Sequence, residues 1–416
     1  MPIRAYLSFA AENRRFVAFG FLMAFCSSFG QTYFIGIFGP SIQAEFGLSH
    51  TAWGSTYMVG TLASAALLPW TGKLIDRAAL ERYATGVYLA IVAACLGAAA
   101  VAGSLTLVIA IFALRHTGQG LMSHVAVTSM ARYFASGRGR AIAIAALGFS
   151  AGEAVLPFFA VLAIAAVGWR SAYAGSAVLL LFLLPLVFWC LAGHGERHRR
   201  HLEQLAGRES DADPAARAWT RAEMLRDARF YLLVPAVTAP SMILTGMFFH
   251  HLNLADAKHW SHAWITGSYF VYALAAVAMS LTAGRLIDRF GALPLVPWML
   301  APLGAALVIV TAVDDAWVAW PYFVLAGLST GIAHTALSAM WAELYGVTHL
   351  GAIRSLAAAM SVFASALGPV AMGALMDSGV TIERVYLLFA AYCVLASVLI
   401  VPAFARRASP MPSGGG

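Results

Sequence analysis

The apolar residues of this chain come in blocks long enough to cross a bilayer. They run at about 16–40, 53–72, 84–103, 105–131, 140–166 and 171–192, then at about 229–252, 262–284, 293–313, 317–342, 352–376 and 383–404. A helix rises 1.5 Å per residue, so roughly 20 residues cover a hydrocarbon layer about 30 Å thick. Backbone placed in hydrocarbon must satisfy its own hydrogen bonds, which leaves helices or closed barrels. Blocks of this length select helices. The pattern predicts an all-α membrane protein of twelve transmembrane helices. Composition agrees: of 416 residues, 61% are hydrophobic and 11% charged, against about 25% charged in soluble domains.

The polar stretch from Gly193 to Asp227 is rich in Arg, Glu and His and divides the spans into six plus six. The expected organisation is a six-helix bundle over 1–192, a cytoplasmic linker over 193–228, a second bundle over 229–404 and a disordered tail over 405–416. Arg4, Arg14 and Arg15 precede the first block like the start of a signal peptide. The block is too long for a signal core and no clear cleavage site follows, so it reads as an uncleaved first helix. Basic residues set the orientation. With the N-terminus inside, the tails and even-numbered loops carry 22 of the 26 Lys and Arg. The opposite face carries Arg170, Lys258 and Arg384, and Arg115 lies within a span. Both termini are expected in the cytoplasm, in a bacterial inner membrane. These charges flank spans and form no continuous patch, which argues against nucleic-acid binding.

One hexapeptide occurs at the same place in each half. Gly72-Lys73-Leu74-Ile75-Asp76-Arg77 follows the second span, and Gly284-Arg285-Leu286-Ile287-Asp288-Arg289 follows the eighth. The offset is 212 residues, and Tyr57 and Tyr269 match at the same offset. Duplication of a six-helix unit explains this, with two bundles related by a pseudo-twofold axis normal to the membrane. The glycine is expected to permit a tight turn, and the basic residues to anchor the inner face. Each aspartate needs a partner. A helix N-terminus carries about half a positive charge, so Asp76 is expected at the start of helix 11 and Asp288 at the start of helix 5. Gly72, Asp76, Arg77, Gly284, Asp288 and Arg289 thereby form a candidate cytoplasmic gate.

These motifs resemble those of the major facilitator superfamily over essentially the whole chain. The Gly-x-Leu-Ile-Asp-Arg loop looks like the family's loop between helices 2 and 3. Arg115-His116-Thr117-Gly118-Gln119-Gly120 looks like its fourth-helix pattern. The fifth-helix stretch from Gly148 to Pro157 lacks the Gly-Pro pair of the drug/proton antiporters and carries Glu153 instead. Within the family, the stretch from Phe38 to Ser49, with Arg132-Tyr133-Phe134 and Arg138-Gly139-Arg140-Ala141, resembles the monocarboxylate and oxalate/formate branch. That branch often carries a cation within helix 8, and none stands here before Arg285. The resemblance implies alternating access and a cytoplasmic latch.

Charges within spans are costly, at least about 2.5–3.5 kcal/mol each at the bilayer centre. Two residues qualify, Arg115 and Glu153. Counting 1.5 Å per residue from the span ends puts Arg115 about 15 Å from one face and Glu153 about 10 Å from the same face. The two are therefore within about one helical turn in depth and close enough to pair, directly or across a water. Arg115 suits attraction of an anionic group, and Glu153 suits carrying a coupling proton. The alternative is a buried ion pair that pins helices 4 and 5. Gln31 and Tyr33 lie midway along the first span as path-lining candidates. His250 stands beside His251, Asn253 and Asp256 at one end of the seventh span, and Ser338 and Trp341 lie on the tenth. Gly148 and Gly152 have the four-residue spacing of close helix packing. Cys26, Cys95, Cys190 and Cys393 sit in apolar runs without ligand spacing, so neither metal nor cofactor is expected.

The reading is a secondary transporter, acting as a monomer, that moves a small solute. The solute is expected to be an organic anion, and its movement proton-coupled. Drug efflux and a nontransporting membrane sensor are the alternatives. No His-Glu-x-x-His, Gly-x-Ser-x-Gly or nucleotide-binding loop occurs, so an enzyme is not expected.

Overall fold

The computed structural model describes residues 8–134, 137–195, 219–346 and 350–405. Among these the chain is helical almost throughout, in twelve long segments with short helical turns at Leu74–Arg77 and Arg221–Arg226 between them. Helix α1 is broken into Arg14–Gly30 and Thr32–Phe46, bent by 44°. It is followed by α2 (His50–Thr71), α3 (Leu80–Ala99) and α4 (Ser104–Tyr133). A single helical run, Arg138–Leu191, contains α5 (138–167) and α6 (169–191). Only Gly168 departs from helical geometry there, at φ 80° and ψ 162°, a conformation that favours glycine. Then come α7 (Ala228–Ala257), α8 (His262–Phe290), α9 (Val296–Ala312), α10 (Ala316–Tyr345), α11 (Leu350–Asp377) and α12 (Ile382–Ala405).

Large apolar side chains point outward along these helices, among them Leu105, Phe182, Leu274 and Trp298. A water-facing protein does not expose such a surface; a lipid-facing one does. Lipid tails are as apolar as leucine, so burial alone does not drive helix association, and close approach and hydrogen bonds take over. Glycines supply the approach between α1 and α5. A Cβ on Gly148 would fall on the Phe21 carbonyl, and one on Gly152 on the Ser28 hydroxyl. The expected packing role of this pair holds. All four cysteines are buried and free.

The chain forms two compact units. The first comprises 1–212 with 245–273 and 369–379; the second comprises 213–244, 274–368 and 380–416. Helices α7, α8 and α11 therefore each contribute to both. In the first unit, the start of α6 is pinned by Arg170, which pairs with Glu45 and donates to the Val101 carbonyl at 2.6 Å. Trp169 Nε1 donates to the same carboxylate at 2.7 Å. In the second, Glu343 accepts from the backbone N–H groups of Ala292 and Leu293 at 2.6 and 3.3 Å. It thereby fixes the turn between α8 and α9 to the end of α10.

The repeated hexapeptides are less alike in structure than in sequence. Gly72 ends α2, and Leu74–Arg77 forms a separate helical turn. Gly284 lies inside α8, which runs on to Phe290 and stops at Gly291 with φ 83°. A left-handed glycine just past a helix is the usual terminator, so the second tight turn falls seven residues beyond Gly284. A Cβ on Gly284 would meet nothing within 4 Å. The tight turn expected at this glycine therefore does not form there. The side chains of Asp76 and Arg77 fall outside the described residues. Asp288 and Arg289 are exposed, and Asp288 makes no hydrogen bond or ion pair among the described residues. The Arg289 guanidinium stacks over Phe290, 5.1 Å from the ring centre.

Candidate functional site

The break in α1 creates the site in the first unit. After Cys26 the chain tightens into a 3-10 turn, Ser27–Gly30, and Gln31 is extended at φ −85° and ψ 155°. The next helical turn starts with Phe34 and Ile35 donating to the Gln31 carbonyl. The Gly30 carbonyl is thus left without an α-helical partner. Opposite it, α4 widens into a π-helical stretch, Arg115–Met122, a distortion often found at functional sites. Glycine permits the approach: a Cβ on Gly118 would come within 2.6 Å of the Gly30 Cα.

Arg115 fills this junction and is 2% exposed. Its Nε donates to Thr61 Oγ1 at 3.1 Å. Its Nη1 donates to the Gly30 carbonyl at 3.1 Å and to Thr32 Oγ1 at 3.4 Å. The guanidinium also lies over the Tyr57 ring, 5.0 Å from its centre, and the Tyr57 and Thr32 hydroxyls are 2.5 Å apart. A guanidinium has five N–H donors. Among the described residues those on Nη2 take no protein acceptor, and no carboxylate lies within 4 Å of the group. A direct ion pair with Glu153, one of the two expected forms of pairing, is therefore not formed. Depth along two helices was compatible with it, but depth does not fix the direction in which a side chain leaves its helix. Arg115 turns instead toward α1 and α2.

Glu153, partly exposed on α5, makes no hydrogen bond or ion pair among the described residues. It lies within electrostatic range of the Tyr33 phenol, as does Tyr272 of α8. Tyr33 donates to Ser28 Oγ at 2.8 Å, and Gly152 is seated against the same serine. Arg115 and Glu153 therefore both border the α1 break, one through Gly30 and Thr32, the other through Ser28 and Tyr33. Gln31 is at the break itself, with Nε2 at 3.5 Å from Ser123 Oγ of α4. Phe248 of α7 packs against Tyr33, Tyr269 and Tyr272, with ring centres 6.2, 5.1 and 5.1 Å away.

His250 is buried at the end of this unit where α1 turns into α2. Its Nε2 donates to the Pro369 carbonyl at 2.9 Å, and Nδ1 is 3.3 Å from Asn253. Beside it, Asp377 of α11 accepts from the backbone N–H groups of His50 and Thr51 at 3.1 and 2.8 Å. A Cβ on Gly54 would meet the Pro369 backbone at 2.9 Å, and one on Gly373 the His50 backbone at 2.7 Å. His250 thus belongs to a tight junction of α2 with α7 and α11. Its neighbour His251 is hydrogen-bonded through Nδ1 to the Tyr269 hydroxyl at 2.9 Å. The repeat-related tyrosines therefore each abut a basic residue, Tyr57 against Arg115 and Tyr269 against His251. Thr32 and Thr61 were not singled out in the sequence; the matched offset of the two tyrosines was the one signal pointing to their surroundings. Ser338 stands in the second unit, on the wall of a separate cavity between α7, α10 and α11. Among the described residues no three His, Cys, Asp or Glu side chains are placed to hold a metal.

The model of the Major Facilitator Superfamily matches the chain over residues 20–279 and again over 254–415. A bacterial homolog of the human lysosomal transporter Spinster, in its inward-facing and unoccupied conformation, superposes with a TM-score of 0.63 at 14% identity. The alignment covers 94% of this chain and 95% of that one. The nucleoside transporter NupG superposes with a TM-score of 0.72 at 13% identity, over 95% and 99% of the two chains. At such identities the likeness is one of fold. No curated protein sequence matches the chain.

Proposed function

Since this chain belongs to the major facilitator superfamily and is a membrane transporter rather than an enzyme, we propose that it moves a small organic anion bound at Arg115, with Glu153 as the coupling proton carrier. The observation that carries this reading is the state of Arg115: a guanidinium buried at the junction of α1, α2 and α4, with two N–H donors taking no protein acceptor and no carboxylate beside it among the described residues. An isolated buried charge is expensive, and a transported carboxylate arriving at Nη2 would neutralise it. The break in α1 leaves the Gly30 carbonyl outside the helical ladder at that point, facing the guanidinium. Glu153 borders the same break without a partner, so its charge is free to change as the cargo comes and goes. Gln31 and Tyr33 line the approach, and His250 lies at the junction that seals one end of it.

The chain is taken to work as a monomer in a bacterial inner membrane, with both termini in the cytoplasm. The basic residues of its tails and even-numbered loops support that orientation. Thermal unfolding in detergent against carboxylates, amino acids, nucleosides and cationic drugs tests the cargo class. Monocarboxylates should raise the midpoint, since a ligand that binds only the folded state stabilises it. Arg115→Gln should abolish that shift. Stabilisation by drugs or nucleosides, with carboxylates inert, would contradict the proposal.

A further inference from the structure

The second unit holds a cavity of about 480 Å³ between α7, α10 and α11, and it is not used by the Arg115 site. His334, Ser338 and Trp341 follow at positions i, i+4 and i+7 of α10, and Arg354 and Ser361 lie seven residues apart on α11; all five line the cavity. Residues at these spacings share one face of a helix. Ala333, Ala357 and Ala358 line it as well, and their small side chains leave room for a guest. Among the described residues neither His334, Ser338, Ser361, Arg354 nor the Trp341 indole N–H has a hydrogen-bond partner. Among the described residues no Asp or Glu lines the cavity.

The acidic residues near this end of α10 are already engaged. Asp227 pairs with Arg229 at 2.9 Å and accepts from the Tyr345 hydroxyl at 3.2 Å. Glu343 is held by the backbone of Ala292 and Leu293. Arg354 is thus a cation facing a cavity with an imidazole, two hydroxyls and an indole, and no anion.

We infer that this cavity is a second anion-binding subsite: Arg354 and His334 take the acid group of an organic anion, and Trp341, buried against Tyr345 and Phe230, forms its fixed apolar wall. Arginine recognises carboxylates in a fork-like manner, and a buried indole supplies a rigid apolar wall. The inference is independent of the Arg115 reading, because every lining residue lies in the second unit. The acid group has two possible sources, a soluble organic acid or an anionic lipid headgroup.

The test is the rate of thiol labelling of Ser361→Cys in nanodiscs of neutral phosphatidylcholine, with an anionic sulfonatoethyl and a cationic trimethylammonioethyl methanethiosulfonate. The four native cysteines are buried, and the unsubstituted chain is the control. The anionic reagent should react about tenfold faster, as expected for a charged cleft that concentrates counter-ions. Arg354→Gln should remove that preference. Benzoate should protect the thiol, and protection should survive Arg115→Gln but not Arg354→Gln. If phosphatidylglycerol in the nanodisc protects as benzoate does, the acid group comes from lipid; if benzoate alone protects, it comes from solute. Equal rates for the two reagents, or no protection by either anion, would overturn the inference. Ala358→Cys gives a second position on the same wall, and failure of both thiols to label would overturn it as well.

Discussion

Arg115 uses three donor contacts to hold α1, α2 and α4 together and keeps the Nη2 pair in reserve. A lysine keeps the charge but not the planar fork. Arg115→Lys should therefore fold and still attract an anion, with affinity lowered about tenfold, equivalent to about 1.4 kcal/mol. Isothermal titration with a monocarboxylate reads this, and undiminished affinity would show that the fork is not used. Glu153→Gln removes the titratable group without changing its size. If Glu153 carries the proton, the variant should retain solute exchange at equilibrium and lose accumulation driven by a pH gradient. Both residues stood out in the sequence because a charge inside an apolar run must have a reason to be there. Their partners did not stand out. Thr32, Thr61 and the Gly30 carbonyl are ordinary residues until the helix break and the π-helical stretch aim them at the guanidinium. Neither distortion has a signature in hydrophobic periodicity.

At the scale of elements, the contact of α1 with α5 depends on glycines with no space for a Cβ, whereas Gly97 of α3 has open space around it. Alanine at the two kinds of site should act in opposite directions. Gly152→Ala must displace Ser28 and should cost about 1–3 kcal/mol, as overpacking does. Gly97→Ala should be neutral or stabilising by about 0.5–1 kcal/mol, because glycine inside a helix is entropically costly. Unfolding midpoints in one detergent measure the difference, and equal effects would show that the packing of α1 on α5 is looser than described. The start of α2 makes a second case. Its N–H groups are capped by Ser49 within the segment and by Asp377 from α11. Asp377→Ala should speed amide exchange at His50 and Thr51 and cost about 1 kcal/mol, the usual worth of a cap. The four-residue glycine spacing was readable in the chain. The Asp377 cap was not, since nothing local to Asp377 points to a residue more than 300 positions earlier. The second hexapeptide misled for a local reason: its glycine was read as the turn, but the helix continues to Gly291.

For the whole molecule, block length and block number were enough to give twelve helices, because hydrocarbon thickness fixes how long a span must be. Even the turn between α5 and α6, a single residue at Gly168, lies between the predicted blocks. The two compact units share α7, α8 and α11, since compactness depends on which helix ends touch. What joins these scales is one claim: a buried, uncompensated guanidinium beside a broken helix is where the cargo's negative charge is held. Its most direct test is accumulation of radiolabelled benzoate in proteoliposomes under an imposed inward proton gradient. The wild-type protein should concentrate the label, and Arg115→Gln, reconstituted in equal amount and equally folded, should not. Equal accumulation by the two proteins would contradict the claim.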